Sequence, residues 1–306
     1  MTIPAVRRSS RLLSASKAVY ATESLTRLIA CSVADEILER LTIAVDRDRA
    51  DSEIALLNAF AEHDDVTMEV SPALSAILLQ AQEAARLSGG LVDPVVGIAG
   101  DSGAHIATEG SGVPYSFDPD RHVLYMRRGT VLDLWNIGCA WAAEEIVARV
   151  VMQDPAASFA VVVGPAVVSV GAAWEISDAL EQDFAMLQAP LRCGLRSFAI
   201  LHQHLPNNTA HADGEGRRSA SSVDVASAPH ECSSGDAPGA AWWDRASVGA
   251  EDAVQAITLA LMAQRLGESA FDHIVQAGGQ AEFVGPRGRT PLRRRMRTPG
   301  WVPSTS

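Results

Sequence analysis

Apolar positions fall into blocks of helical and strand period. Over 33–45, Val33, Ile37, Leu38, Leu41 and Ala44 recur at helical spacing, with Asp35, Glu36 and Glu39 on the opposite face; the spacing predicts a core-packing helix. Leu74, Ile77, Leu78, Ala81, Ala85 and Leu87 repeat the pattern over 72–88, where Ser71 is a suitable N-cap and Pro72 takes the first helical position. Gly89 can end that helix in the left-handed conformation, and Gly90 lets the chain turn into Leu91-Val92-Asp93-Pro94. Asp93 is thereby delivered to the rim of a core, although many helix–turn–strand joints have this form. Helices are also predicted over 137–150 and 252–265, the second with Glu251 and Asp252 in its first turn, and a short one over 267–277.

Strand signals lie between the helices. Val123 and Tyr125 share one face of 121–128, and 130–134 follows as a second strand. The β-branched runs 159–164, 167–170 and 173–176 are separated by glycine and proline and read as a meander. Segments 196–201, 246–250 and 281–285 complete the set. The glycine- and serine-rich stretch 98–115 reads as a loop, and 206–239, poor in large apolar residues, as a flexible insertion.

Composition narrows the chemistry. With 306 residues, 47% hydrophobic and 20% charged, the chain has the make-up of a globular protein with a substantial core. A net charge of −12 argues against general nucleic-acid binding. Lys17 is the only lysine among 25 basic residues, which leaves almost no room for amine catalysis. Cys31, Cys139, Cys193 and Cys232 have no CxxC spacing, so neither a zinc ribbon nor a disulfide framework is indicated. His202, His204, His211, His230 and Cys232 have ligand chemistry that suits zinc but not the spacing of a closed site; a solvated loop is the better reading. The longest uncharged apolar run, 159–174, is too short and too interrupted to span a membrane.

The order of motifs carries a resemblance. Asp51-Ser52-Glu53-Ile54 leading to Leu57-Asn58, then Val70-Ser71-Pro72, then Ser88-Gly89-Gly90 running into Asp93-Pro94 and Val96-Gly97, resembles the opening of the FAD:protein FMN transferases, the ApbE-type flavinyl transferases. Leu132-Asp133-Leu134 followed by Asn136, Gly138, Trp141 and Glu144 is similar to a second motif of that family, with Glu144 in place of the usual aspartate and Cys139 at a position that is lysine or glutamate in relatives. Asp252 to Thr258 resembles the family's magnesium segment. In its commoner version the aspartate and threonine are four residues apart on one helical face. Here they are six apart and about 120° off, so both could share one ion only if the helix begins after Asp252. Without the family, Asp252 reads equally well as the acid at a helix N-terminus, and Asp133 more often as a cap or turn residue.

The sequence also departs from the family pattern. Asp48 stands where a flavin-stacking aromatic is usual, Gly164-Pro165-Ala166 stands for a Gly-Gly-Asp, and of a Met-Gly-Thr strand start only Thr22 matches. The A-T-S-G and H-x-x-D-P-x-T-G segments are missing.

The resemblance implies an α+β, T-fold-related architecture of mixed sheets flanked by helices around a flavin cleft. A basic arm would occupy 1–18, the transferase-like domain 19–285 and an arginine-rich tail 286–306. FAD would be the substrate, with flavin contacts at Leu91, Val92, Asp93, Asp133 and Cys139. Mg2+ would be held by Asn136, Asp252 and Thr258. A threonine of a flavin-acceptor protein would attack the FMN phosphorus and AMP would leave; no general base is apparent. A degenerate member that binds flavin nucleotide without transferring it, and a scaffold without flavin, are the alternatives. Neither a signal peptide nor a lipobox is evident after Arg7, Arg8 and Arg11, so a cytoplasmic location is expected.

Overall fold

Small residues, as much as large ones, decide where the first helix lies. In the computed structural model, which describes residues 17–21, 23–98, 114–171, 197–202, 245–284 and 295–297, α1 spans Ser24–Val45 and begins nine residues before the predicted start. Thr26 and Ala30 carry its inward face there, while Leu25 and Leu28 point to solvent. A reading based on large apolar residues passes over such a turn. The other predicted helices form close to their expected limits: α3 over Pro72–Leu87, α4 over Trp135–Gln153, α5 over Ala253–Leu266 and α6 over Ala270–Gln276. A further helix, α2 at Glu53–Ala61, is added by the structure.

Seven strands form one sheet, in the order β1 (Lys17–Ala21), β7 (Phe159–Val163), β8 (Ala166–Val170), β9 (Ser197–His202), β10 (Arg245–Ala250), β11 (Gln280–Val284) and β12 (Arg295–Arg297). Two smaller sheets stand apart: β2 (Val66–Glu69) with β5 (Val123–Met126) and β4 (Tyr115–Asp118), and β3 (Val95–Ile98) with β6 (Thr130–Leu132). Every described pairing is antiparallel. Every residue of β7 is buried, so its sequence is one apolar run rather than an alternation. Helix α4 packs against α1 on one side and α5 on the other, all three meet the large sheet, and α3 contacts each of them. The result is an α+β architecture.

Some boundaries move. The strand expected to start at the Met-Gly-Thr-like segment is already under way before it, as β1 runs from Lys17 to Ala21 and pairs Lys17 and Ala18 with Val163 and Val162; the basic arm therefore loses its last two residues to the sheet. Within the arginine-rich segment, Arg295–Arg297 forms an edge strand against Glu282–Val284. The short strands β2, β3 and β4 have four residues each, too few for a two-residue period to stand out. Thr22, the predicted strand 173–176 and the insertion 206–239 lie outside the described residues, as do His204, His211, His230 and Cys232. Among the described residues no helix is long and apolar enough to cross a membrane.

Candidate functional site

The acidic motif at the start of α2 proves to be a joint. Ser52, fully buried, caps the helix by accepting from Ala55 N at 3.2 Å and donates its hydroxyl to Asp46 O at 2.5 Å. Glu53 reaches across to accept from Ser71 N at 2.8 Å, and Ser71 in turn caps α3 through Leu74 N. Asn58 faces β6 and behaves like a neighbouring strand: its amide accepts from Leu132 N at 2.9 Å and donates to Leu132 O at 3.0 Å. Three of the segments that carry the sequence resemblance, 51–58, 70–72 and the one at 132–134, are thus tied together by direct hydrogen bonds.

The next residue, Asp133, is where those bonds lead. Its backbone N–H donates to Pro94 O at 2.8 Å, which brings the end of β6 against the start of β3. Its Oδ1 accepts from Trp135 N at 3.0 Å and its Oδ2 from the Arg47 guanidinium at 3.1 Å. The side chain is 14% exposed, so both oxygens are held in a fixed orientation. Ahead of β3, Gly89 and Gly90 both have positive φ, 60° and 86°, and together reverse the chain after α3. Ser88 locks that turn by accepting from Val92 N at 2.8 Å. Asp93 remains exposed and accepts from Val95 N at 2.8 Å, in a turn common for aspartate. Arg265, in the last turn of α5, donates to Leu91 O. This ridge, 91–94 beside 132–134, carries Leu91, Val92, Asp93 and Asp133. Its main-chain groups at Leu91 O, Val92 N and Pro94 O are already engaged, so it turns outward the Asp93 carboxylate, the half-buried Leu91 side chain and the two arginines.

Beneath the ridge the chemistry is apolar. Cys139 is fully buried, and burial first, then the nearby charge of Asp133, pushes its thiol well above the ordinary range. It is a packing thiol and not a nucleophile. Its partner is Gly164, at φ 51°, where an added Cβ would lie 2.8 Å from Cys139 Sγ. Cys139, which departs from the family pattern, is therefore in contact with the first residue of the Gly164-Pro165-Ala166 turn. Trp141, 6% exposed, lies under the Arg40 guanidinium, 5.7 Å from its ring centre, and packs α4 to α1. Tyr115 is pushed up to about 12, by burial and then by the charge of Asp93, and is a neutral phenol at ordinary pH.

The residues expected around a metal sit elsewhere. Asp252 is the N-cap of α5, its Oδ1 accepting from Gln255 N at 2.7 Å. Thr258 is fully buried and donates its hydroxyl to Val254 O at 2.7 Å, back into its own helix. Asn136 belongs to the first turn of α4, and among the described residues no hydrogen bond joins it to either. Glu144 is what reaches the start of α5: its Oε1 accepts from Ala253 N at 2.8 Å and from Ser197 Oγ at 3.0 Å. Magnesium requires oxygen ligands at about 2.0–2.1 Å in near-octahedral array. Two of the three expected donors are spent on helix-internal bonds, and the described residues contain no cluster of three His, Cys, Asp or Glu side chains able to hold a metal. α5 does begin after Asp252, but Asp252 Oδ1 and the Thr258 hydroxyl are committed to the helix, so the expected set supplies no ready oxygen cage for the ion.

Arg47, Arg265, Asn58 and Glu144 are the residues of this region that sequence reasoning left unassigned. Asn58 and Glu144 stood inside recognised motifs. Nothing in the spacing of Arg47 or Arg265 marked either one.

Comparison with known proteins agrees with this architecture. A family model described as the ApbE family matches residues 15–189, and the chain belongs to that family. No curated protein matches it. Among solved structures it is similar to the flavin transferase ApbE from Vibrio cholerae, at 14% identity and a TM-score of 0.63 over 97% of each chain. It is also similar to the flavinyl transferase ApbE of Pseudomonas stutzeri in its apo form, at 15% identity and a TM-score of 0.65 over 93% of this chain and 92% of that one. The ApbE protein of Thermotoga maritima gives 18% identity and a TM-score of 0.62 over 94% of each. At such identities the likeness is one of fold.

Proposed function

We propose that this chain is a flavinyl transferase that binds FAD along the Asp93–Asp133 ridge and passes its FMN half to a threonine of a flavin-acceptor protein. The observation that carries this reading is the mutual bonding of the motifs of the ApbE family it belongs to, which holds Asp133 rigidly beside Asp93. In the reaction the threonine oxygen bonds to the FMN phosphorus, the bond from that phosphorus to the bridging oxygen breaks, and AMP leaves with that oxygen. The threonine proton passes to solvent. Such a transfer depends on positioning and charge neutralisation more than on covalent help from the protein. Asp133 and Asp93 would orient the flavin, and the half-buried Leu91 would supply apolar surface, with Val92 packed into the core beneath it. Magnesium is left out of this scheme because one Asp252 oxygen and the Thr258 hydroxyl are committed within α5.

A second reading, binding of flavin nucleotide without transfer, is favoured by the internal bonds of Thr258 and Asp252. One experiment separates the two. The purified protein is incubated with FAD and a flavin-acceptor protein, and covalent flavin is read by in-gel fluorescence with AMP by chromatography. Matching amounts of AMP and covalent flavin support transfer. FAD that binds tightly and is recovered intact supports the second reading, and an absence of bound flavin refutes both.

A further inference from the structure

Most arginines with described side-chain contacts in this chain are neutralised by carboxylates. Arg47 faces Asp133, Arg49 faces Asp51, Arg86 faces Glu83, Arg121 faces Asp118, and Arg149 lies between Glu36 and Glu145. Arg265 differs. Its described partner is an uncharged acceptor, the carbonyl of Leu91, so it is held in place without having its charge cancelled. A guanidinium has five N–H donors, and a bond to one carbonyl leaves most of them to face solvent. The side chain is exposed, and the turn it grips leads within two residues to Asp93 and within three to Pro94, the partner of Asp133. Three residues of chain span at most about 10 Å, so the cation and the proposed flavin contacts lie within the length of one nucleotide ligand. The ridge also carries Arg47, but that guanidinium is paired with Asp133. An exposed, anchored, uncompensated guanidinium beside two carboxylates suits a ligand that presents both hydroxyl or amide donors and an anionic group.

We infer that Arg265 is the phosphate-binding residue of the site, receiving the diphosphate of a nucleotide. This deepens the reading of the ridge as an FAD site and rests on it. The same chemistry would select FAD over riboflavin, which has the ring but no phosphate.

The test uses the full chain in EDTA, titrated calorimetrically with FAD, riboflavin and ADP, alongside Arg265→Gln, Arg265→Lys and the control Arg86→Gln. Loss of a charge-assisted contact predicts about tenfold weaker FAD and ADP binding in Arg265→Gln. Riboflavin binding should be unchanged, Arg265→Lys should fall between, and Arg86→Gln should behave as the parent. Equal losses for FAD and riboflavin, or no loss for FAD, would overturn the inference while leaving the flavin reading intact. If the folded parent binds neither flavin, the flavin reading fails and ADP decides: binding that depends on Arg265 keeps the inference, and none overturns it.

Discussion

Gly164→Ala is the substitution whose cost the structure specifies most closely. The new Cβ would sit 2.8 Å from Cys139 Sγ and 3.6 Å from Cys139 Cβ. Cys139 is fully buried and cannot swing aside. Overpacking of this kind costs about 1–3 kcal/mol. The φ of 51° adds about 1–2 kcal/mol for any residue with a Cβ. Together these give about 2–5 kcal/mol, or a fall of roughly 4–20 °C in Tm at about 2–4 °C per kcal/mol for a domain of this size. The two parts can be separated, because Cys139→Ala removes the sulfur but not the backbone strain. Cys139→Ala alone should cost about 1–2 kcal/mol through a small cavity. In the double variant the steric part should return, giving a favourable coupling of about 1–2 kcal/mol. Urea unfolding of the parent, both single variants and the double variant measures it. Additive effects within about 0.5 kcal/mol would refute the contact between the two residues.

Three further outcomes follow from bonds at the joint and the ridge. Asn58→Ala strands the Leu132 N–H and C=O and should cost about 2–3 kcal/mol by urea unfolding, with Asn58→Asp losing about half of that because it keeps the acceptor; equal costs would refute the two-sided clamp. Asp252→Ala should lower stability by about 1 kcal/mol as a lost cap, and Asp252→Asn by much less. Calorimetric Mg2+ binding that disappears in Asp252→Asn would instead restore the metal assignment. Tyr115 titrates higher in the fold than the ordinary 10, at about 12, so the native state keeps its proton where the unfolded chain loses it. Stability should therefore fall as pH rises from about 10 to 12, and Tyr115→Phe should remove that part of the slope along with a phenolate absorbance step near pH 12. A Tyr115 step near pH 10 would show that its burial and the charge of Asp93 do not act as described.

The helices and most of the large sheet were legible because α3, α4 and α5 present periodic apolar faces, and β7 to β11 present β-branched or small buried runs. α1 was read short because its first turns turn Thr26 and Ala30 inward. α2 was missed since its motif resembled a functional signature, although Ser52 and Glu53 serve as cap and crosslink. The positions of Asp93 and Asp133 were readable from the motifs, but their proximity was not, because it depends on one backbone bond between residues 39 apart in the chain. Arg47 and Arg265 escaped for the same reason. A long side chain declares its target only once the chain has folded. Thr258 shows the reverse: a hydroxyl in a recognised segment can be used by its own helix, and no spacing rule reports that.

The Asn58 clamp has a consequence for hydrogen exchange. The Leu132 amide is protected by a side chain on α2 rather than by a sheet partner. Its exchange rate therefore reports the lifting of α2 away from β6, whereas the amide of Asp133, bonded to Pro94, reports separation of β6 from the start of β3. Two adjacent amides thus time two different openings, and slowing of the second alone on adding FAD would place the ligand on the ridge without a view of it.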